Sequence, residues 1–493
     1  MENNVFIPEE GLGTEEVLKN IQEQAKEDPD FKKGRTWGLV YYAGEKHAKF
    51  LKDIHGQFSS QNALNPMAFK SLKNMERDVI RMTANLFNGG EQACGTMTSG
   101  GTESIMMAIK SYRDRARKLK PWILKPEIIA PASVHVAFDK ACKYFDVKLI
   151  HAPLKDDFTV DTKWVKKKMN RNTILLVGSA PQYPHGVIDD IETLGELAQK
   201  KKIPLHVDAC LGGFLLPFME KAGYSVPRWD FRVPGVTSIS ADLHKYGFAH
   251  KGASTLTYRS MEYLKYQFFV YENWPGGIFA SPAMLGTRSG GPIAAAWATM
   301  NAIGVNGYTK NAKTIMETTN RLMEGINSID ELEVIGEPQA SVFAYGSKDS
   351  DVNIYAVADR LNEKGWHVDR NQSPESLHAM VTLGHEKFVD DFLEALKEAI
   401  AHVKENPELN KSGNAAMYGM IAKIPMRGMI KSQVHKMMQQ MYSPEGELPE
   451  GVDEDDIMQK LGMQVIEIKE NAEEVIENIK EKVATTIKQK LKF

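Results

Sequence analysis

The chain has 493 residues, 42% apolar and 25% charged, with a formal net charge of -3. Such a balance suits a folded protein with a large buried core, and it excludes the basic field of a nucleic-acid binder and the strong acidity of a disordered chain. The expected partners are small molecules and other protein chains. Cys94, Cys142 and Cys210 are odd in number and form no CxxC pair, which predicts a reduced, cytoplasmic protein with no metal site. The N-terminus MENNVFIPEEGLGTEEV lacks the basic start and apolar core of a signal peptide, and runs such as LGGFLLPF (211–218) are too short to cross a bilayer, so the chain is expected to be soluble.

In chain order, residues 1–70 mix short amphipathic stretches with Gly and Pro and read as an arm that needs another surface to lie on. Over 71–310 the pattern alternates. EIIAPA (127–132), VKLIHA (147–152), TILLVGSA (173–180), IPLHVDA (203–209) and VTSISA (236–241) read as strands, and 133–145, 161–170 and 189–202 as helices. Buried strands alternating with helices predict an α/β domain built on a mainly parallel sheet covered on both faces, with ligands collecting beyond the carboxyl ends of the strands. Residues 311–442 open with a long helix and continue through LEVIGE, SVFAYGS, WHVDRN and HAMVTLG, the pattern of a smaller α/β domain. Within the last segment, 443–493, the stretch 443–456 is a linker rich in Pro, Gly and acid. It is followed by Ile468, Ala472, Val475, Ile479 and Val483 at helical spacing. That helix is expected to pack on its own chain or on a partner; membrane-surface contact is the minority reading, since its basic residues gather only at the end.

Four features carry chemistry. GTMTSGGTES (95–104) places Gly100, Gly101 and Thr102 at the start of a helix, where close backbone approach and free N–H groups attract an anion; a plain turn with a Thr cap is the structural alternative. Asp208 ends the strand in LHVDACLGG, positioned either to cap the next turn or to pair with a protonated ring nitrogen. His135 follows another strand near a helix start and reads as a cap, or as an imidazole lying over a flat cofactor. Lys245, in SISADLHKYGFAHKG, is flanked by apolar residues, where desolvation is expected to lower its pKa and make a nucleophilic amine. An anion cradle, a strand-end carboxylate, an aromatic cap and a lysine on one sheet edge match the phosphate, ring nitrogen, ring face and aldehyde of pyridoxal 5'-phosphate.

TSGGTES, PQYPHGVID, PLHVDACLGGFL, ISADLHKYG, YQFFVYENWPGGIFASP and GTRSGG closely resemble stretches of the sphingosine phosphate lyases, fold-type I pyridoxal phosphate enzymes related to the group II amino-acid decarboxylases. The resemblance runs from about residue 8 to about residue 442. It implies a large domain with a seven-stranded sheet, a smaller C-terminal α/β domain, and a homodimer with shared active sites. Lys245 would carry the cofactor, Asp208 would pair with its ring nitrogen and His135 would stack on its face. Gly101, Thr102 and His244 would hold its phosphate, with Thr287 entering from the neighbouring subunit. Tyr41 would reach the partner's substrate phosphate, and Lys251 would lie near that phosphate. The implied reaction is cleavage of the C2–C3 bond of a phosphorylated sphingoid base; an amino-acid decarboxylase or a non-catalytic interaction protein on the same scaffold are the alternatives. One position departs from the pattern. Where the family reads NPLHPD, this chain keeps Asn62 but has Asn65 in place of the phosphate-facing His, so a charge-assisted contact becomes a neutral one.

Overall fold

The computed structural model describes residues 7–29, 31–65, 67–411 and 427–443. Seven strands make the central sheet: β1 (Cys94–Thr98), β2 (Glu127–Pro131), β3 (Lys148–Ala152), β4 (Thr173–Ser179), β5 (Leu205–Asp208), β6 (Val236–Ala241) and β7 (Ser254–Tyr258), in the spatial order β1-β7-β6-β5-β4-β2-β3. Neighbours pair in parallel except at β7, which runs antiparallel to both β1 and β6. The five strands expected from apolar runs are all present. The helices between them, Ala137–Phe145, Thr162–Lys168 and Ile191–Lys201, fall inside the expected spans.

Two strands, β1 (CGTMT) and β7 (STLTY), carry no apolar run. In β7, Ser254, Thr255 and Thr257 are all fully buried. Each hydroxyl is satisfied by the neighbouring strand, Ser254 and Thr255 donating to Ala241 O at 3.2 and 3.1 Å and Thr257 to Ile239 O at 3.2 Å. Hydroxyls that find carbonyl acceptors cost little to bury, so the strand has no need of an apolar run. Helices cover both faces and close two apolar clusters, one around Ile129, Leu176, Val207 and Ile239, the other around Ile109, Phe138, Leu175 and Leu256.

The smaller domain is an antiparallel sheet of β10 (Leu332–Ile335), β11 (Val342–Ser347), β12 (Asp369–Gln372) and β13 (Glu375–Met380), ordered β10-β11-β13-β12, packed on helices Ile354–Glu363 and Val389–Glu405. Between the domains, β8 (Phe269–Trp274) and β9 (Gly277–Ser281) form a separate hairpin. The boundary expected at 310/311 falls inside the second of two helices that meet at a kink at Gly304 (φ 62°) within Gly290–Asn327. Its Ile315 and Met316 still pack in the large core while Leu322 and Ile326 lie in the small one, so one helix serves both.

The arm lies on its own chain. Trp37 is buried in the small-domain core and stacks on His385 at 4.3 Å. Met380 N donates to its carbonyl. Helix Thr14–Gln24, by contrast, buries no residue. The C-terminal linker and the amphipathic helix expected beyond it lie outside the described residues.

Candidate active site

Beyond the carboxyl ends of β1, β2, β4, β5 and β6 lies a cavity of about 480 Å³. Its lining brings together Gly100, Gly101, Thr102, His135, Asp208, His244, Lys245, Lys251 and Tyr41, from segments up to 210 residues apart in sequence. Asp208 is the last residue of β5, Lys245 comes four residues after β6, and His135 four after β2. The strand-end rule therefore gathers them without any further device.

The glycine turn leads into helix Gly101–Leu119. Gly100 occupies the N-cap position with no side-chain cap, and Thr102 lies within the helix, so the expected Thr cap is absent. The turn is closed by Glu103, which accepts from Ser99 N and Oγ at 2.7 and 2.6 Å. A Cβ at Gly101 would come within 2.8 Å of both Asp242 Oδ2 and Cys210 Sγ, so only glycine fits. The first-turn N–H groups, having no intrahelical partner, are left for an anion.

Asp208 takes the capping role open from sequence. It caps the following turn by accepting from Cys210 N at 3.1 Å, and it also lines the cavity. Burial pushes its carboxyl up, but the Cys210 thiol and then His135 and His206 outweigh that, holding it below the ordinary value. His135 likewise accepts from Ala137 N at 3.2 Å through Nδ1 while its ring faces the cavity, cap and lining at once.

Lys245 corrects an expectation. Burial acts to lower its pKa, but Nζ lies 3.0 Å from Asp242 Oδ2, and Asp242, with Cys210 and Asp208, raises the pKa above the ordinary lysine value. The lysine stands as a paired ammonium. His244 is held below its ordinary value, chiefly by burial, although its Nε2 lies 3.6 Å from the same Asp242 oxygen. Sequence reasoning misses Asp242, whose place three residues before Lys245 is the one signal that could find it. Gln182, Tyr183, Asp369 and Met380 also line the cavity and leave no local signal, since the fold alone brings them there.

Tyr41 and Lys251 close one wall. Tyr41 OH lies 2.6 Å from Met380 Sδ, and Lys251 Nζ donates to Leu39 O at 2.6 Å with its ammonium 5.4 Å over the Tyr41 ring. Burial of that end and the Lys245 charge hold Lys251 below the ordinary lysine value. Tyr41, expected to reach a partner's site, thus lines the cavity of its own chain. Asn62, Asn65 and Thr287 do not line it. Asn62 Nδ2 donates to Thr287 Oγ1 at 3.2 Å, and its Oδ1 accepts from Leu64 N and Arg288 N. Asn65 Oδ1 accepts from Met67 N and Ala68 N at 3.0 and 3.3 Å, a local turn. The bidentate pair of Arg288 with Glu76, at 2.7 and 3.1 Å, fastens this patch to the large domain.

These residues fit pyridoxal phosphate. A helix start stripped of side chains is open to a phosphate, and the strand-end carboxylate lines the cavity with its Oδ1 accepting from Cys210 N and Ser240 Oγ. A lysine and an imidazole share the same enclosed space. Among the described residues no cluster of His, Cys, Asp and Glu could hold a metal, and no helix is long and apolar enough to cross a membrane.

Comparison with known proteins agrees. The pyridoxal-dependent decarboxylase conserved domain matches residues 50–348. Sphingosine-1-phosphate lyase 1 of Rattus norvegicus is 45% identical over 440 residues, covering 89% of this chain and 77% of that protein. The Arabidopsis thaliana sphingosine-1-phosphate lyase is 45% identical, covering 88% and 81%. The structure of a Burkholderia pseudomallei sphingosine-1-phosphate lyase superposes with a TM-score of 0.81 at 36% identity, covering 89% of this chain and 97% of that one. With the cofactor's partners assembled at one sheet edge and this likeness running through both domains, the chain belongs to the sphingosine-1-phosphate lyase family of pyridoxal-phosphate-dependent enzymes.

Proposed function

We propose that this protein is a carbon–carbon lyase that cleaves the C2–C3 bond of a phosphorylated sphingoid base, giving phosphoethanolamine and a long-chain aldehyde. The observation that carries the reading is the convergence of Lys245, Asp208, His135 and the Gly100–Gly101 helix start on one cavity that also holds a second lysine, Lys251. Beside the cradle for the cofactor phosphate, a phosphorylated amine needs one further anion site, which Lys251 and Tyr41 supply.

Pyridoxal phosphate, when bound, supplies a sink for the electron pair left on C2 when the bond breaks. The chain's own groups do the rest. Lys245 would be the residue that anchors the cofactor. The carboxylate of Asp208 would keep the ring nitrogen protonated, the His135 ring would cover the ring face, and Gly100, Gly101, Thr102 and His244 would hold the cofactor phosphate. The proton of the 3-hydroxyl must leave as C3 becomes an aldehyde. A proton delivered to C2 completes phosphoethanolamine.

The protein acts as a homodimer in this reading. Phe269, Val270, Tyr271, Trp274 and Ile278 of the β8–β9 hairpin are exposed, as are Val17, Leu18 and Ile21 of helix Thr14–Gln24. An apolar groove of about 510 Å³ lies between the hairpin's Val270 and Ala280 and the segment holding Ala63, Leu64 and Arg288, beside the Asn62–Thr287 patch. A second copy seated there would cover the apolar surface and bring Asn62, Asn65 and Thr287 to its own cavity. Three free cysteines suit a cytoplasmic setting. The test is incubation of the full-length protein with a phosphorylated sphingoid base and direct detection of phosphoethanolamine and long-chain aldehyde. Carbon dioxide release from a free amino acid without aldehyde formation would point to a decarboxylase instead.

A further inference from the structure

Behind Asp208, on the side away from the cavity, β5 and β6 pair in register with His206 opposite Ser238 and Asp208 opposite Ser240. Because alternate residues share a face of a strand, all four side chains project to the same side. They are linked. Ser240 Oγ donates to Asp208 Oδ1 at 3.1 Å, His206 Nε2 lies 3.2 Å from Ser240 Oγ, His206 Nδ1 lies 2.8 Å from Ser238 Oγ, and Tyr112 OH donates to Ser238 Oγ at 2.7 Å. His206, Ser238 and Ser240 are fully buried and Tyr112 is 2% exposed, so water supplies none of these bonds.

The direction of the chain follows from its end. A carboxylate only accepts, so Ser240 gives its proton to Asp208 and must itself accept from Nε2–H of His206. Burial pushes the pKa of His206 down to about 4, and the ring is neutral. Nδ1 then carries no proton and accepts from Ser238, which in turn accepts from Tyr112. Every hydroxyl and the imidazole donate toward Asp208, an arrangement in which each bond polarises the next.

We propose that Tyr112, Ser238, His206 and Ser240 form a fixed donor relay that holds Asp208 as a carboxylate, so that the cofactor's ring nitrogen, and not Asp208, keeps the proton between them, with His206 as its central positioning residue. The inference rests on the assignment of Asp208 to the ring nitrogen. Donors to a carboxylate favour its charged form, and without them a buried acid takes up a proton more readily.

The test uses full-length protein loaded with pyridoxal phosphate labelled with ¹⁵N in the ring, whose nitrogen resonance reports protonation directly, followed against pH. Ser240→Ala removes one hydroxyl and His206→Leu breaks the relay at its centre. Each is expected to lower the pH at which the ring nitrogen loses its proton by about one unit, a tenfold change in proton occupancy, the size of one hydrogen bond to a charged group. His206→Gln, which can donate to Ser240 and accept from Ser238, should restore the wild-type midpoint. A role in packing alone would reduce the amount of cofactor bound without moving that midpoint. The reference is Asp208→Asn. If it moves the nitrogen toward the unprotonated form while Ser240→Ala and His206→Leu leave the midpoint in place, the relay is wrong and the role of Asp208 stands. Should Asp208→Asn itself change nothing, the assignment of Asp208 falls and the relay with it. Ser240→Ala decides the matter even if His206→Leu does not fold.

Discussion

Lys245 and Asp242 form an ion pair of 3.0 Å in which the carboxylate side chain is 1% exposed, and it keeps the amine that must attach the cofactor in its charged form. Attachment needs the neutral amine. Since the pKa of Lys245 is raised, the rate of cofactor uptake by cofactor-free protein should climb with pH and go on climbing past about 10.4, the ordinary lysine value. Asp242→Asn removes the strongest of the charges that oppose burial and leaves only Cys210 and Asp208 against it, so the pKa falls, and uptake at neutral pH should quicken about tenfold for every pH unit by which the lysine becomes easier to deprotonate. Stopped-flow absorbance after mixing with pyridoxal phosphate measures both; slower uptake by Asp242→Asn would contradict the account. The sign for stability follows the same logic. A raised lysine stabilises the fold fully below its unfolded pKa, and that contribution is lost as the pH rises through the folded value.

Lys245→Ala removes the covalent anchor. Visible absorbance from bound cofactor and all turnover should disappear together, and a normal visible band in this variant would contradict the assignment.

Asp208→Ala should lower kcat by about two to four orders of magnitude, in line with the roughly 3–5 kcal/mol lost when one partner of a buried charge pair is removed. KM should change far less, because the loss is felt where charge develops. Steady-state kinetics with saturating cofactor separate the two constants.

Subunit mixing tests the shared site. Lys245→Ala damages the cavity, and Asn62→Ala combined with Thr287→Ala damages the patch that does not line it. If a site takes its cavity from one copy and its patch from the other, equal mixtures of the two inactive variants should recover about a quarter of wild-type activity through mixed dimers with one intact site each. No recovery after unfolding and refolding the mixture would mean the patch serves its own chain or none.

Asn65→His restores a group that can carry charge at a position whose side chain now closes a turn through Met67 N and Ala68 N. KM for a phosphorylated sphingoid base should fall severalfold, most strongly below about pH 6.5 where the imidazole is protonated. The lost turn contacts should cost about 1 kcal/mol of stability, visible as a lower Tm. An unchanged KM at every pH would show that residue 65 does not face the substrate.

The reading of β2 and β4 from apolar runs holds because strands buried on both faces have apolar centres, and the strand-end rule then places Asp208, His135 and Lys245 together before any coordinates exist. β7 escapes such a reading because its buried hydroxyls are satisfied by β6, a compensation that is visible only once the two strands are paired. Asp369 and Met380 escape for the same kind of reason: nothing local marks them, and they matter through what they face.

The choice of cofactor is already legible along the linear chain, because a glycine-opened helix, a strand-end carboxylate and a flanked lysine are local requirements of that molecule's chemistry. The charge on Lys245 belongs to the folded molecule alone. Its neighbours in sequence predict desolvation, yet the direction in which its pKa moves is set by Asp242, Cys210 and Asp208, gathered from a loop and a strand end to within reach of one ammonium. Electrostatic energy depends on distances in space, and a linear chain records only distances along itself.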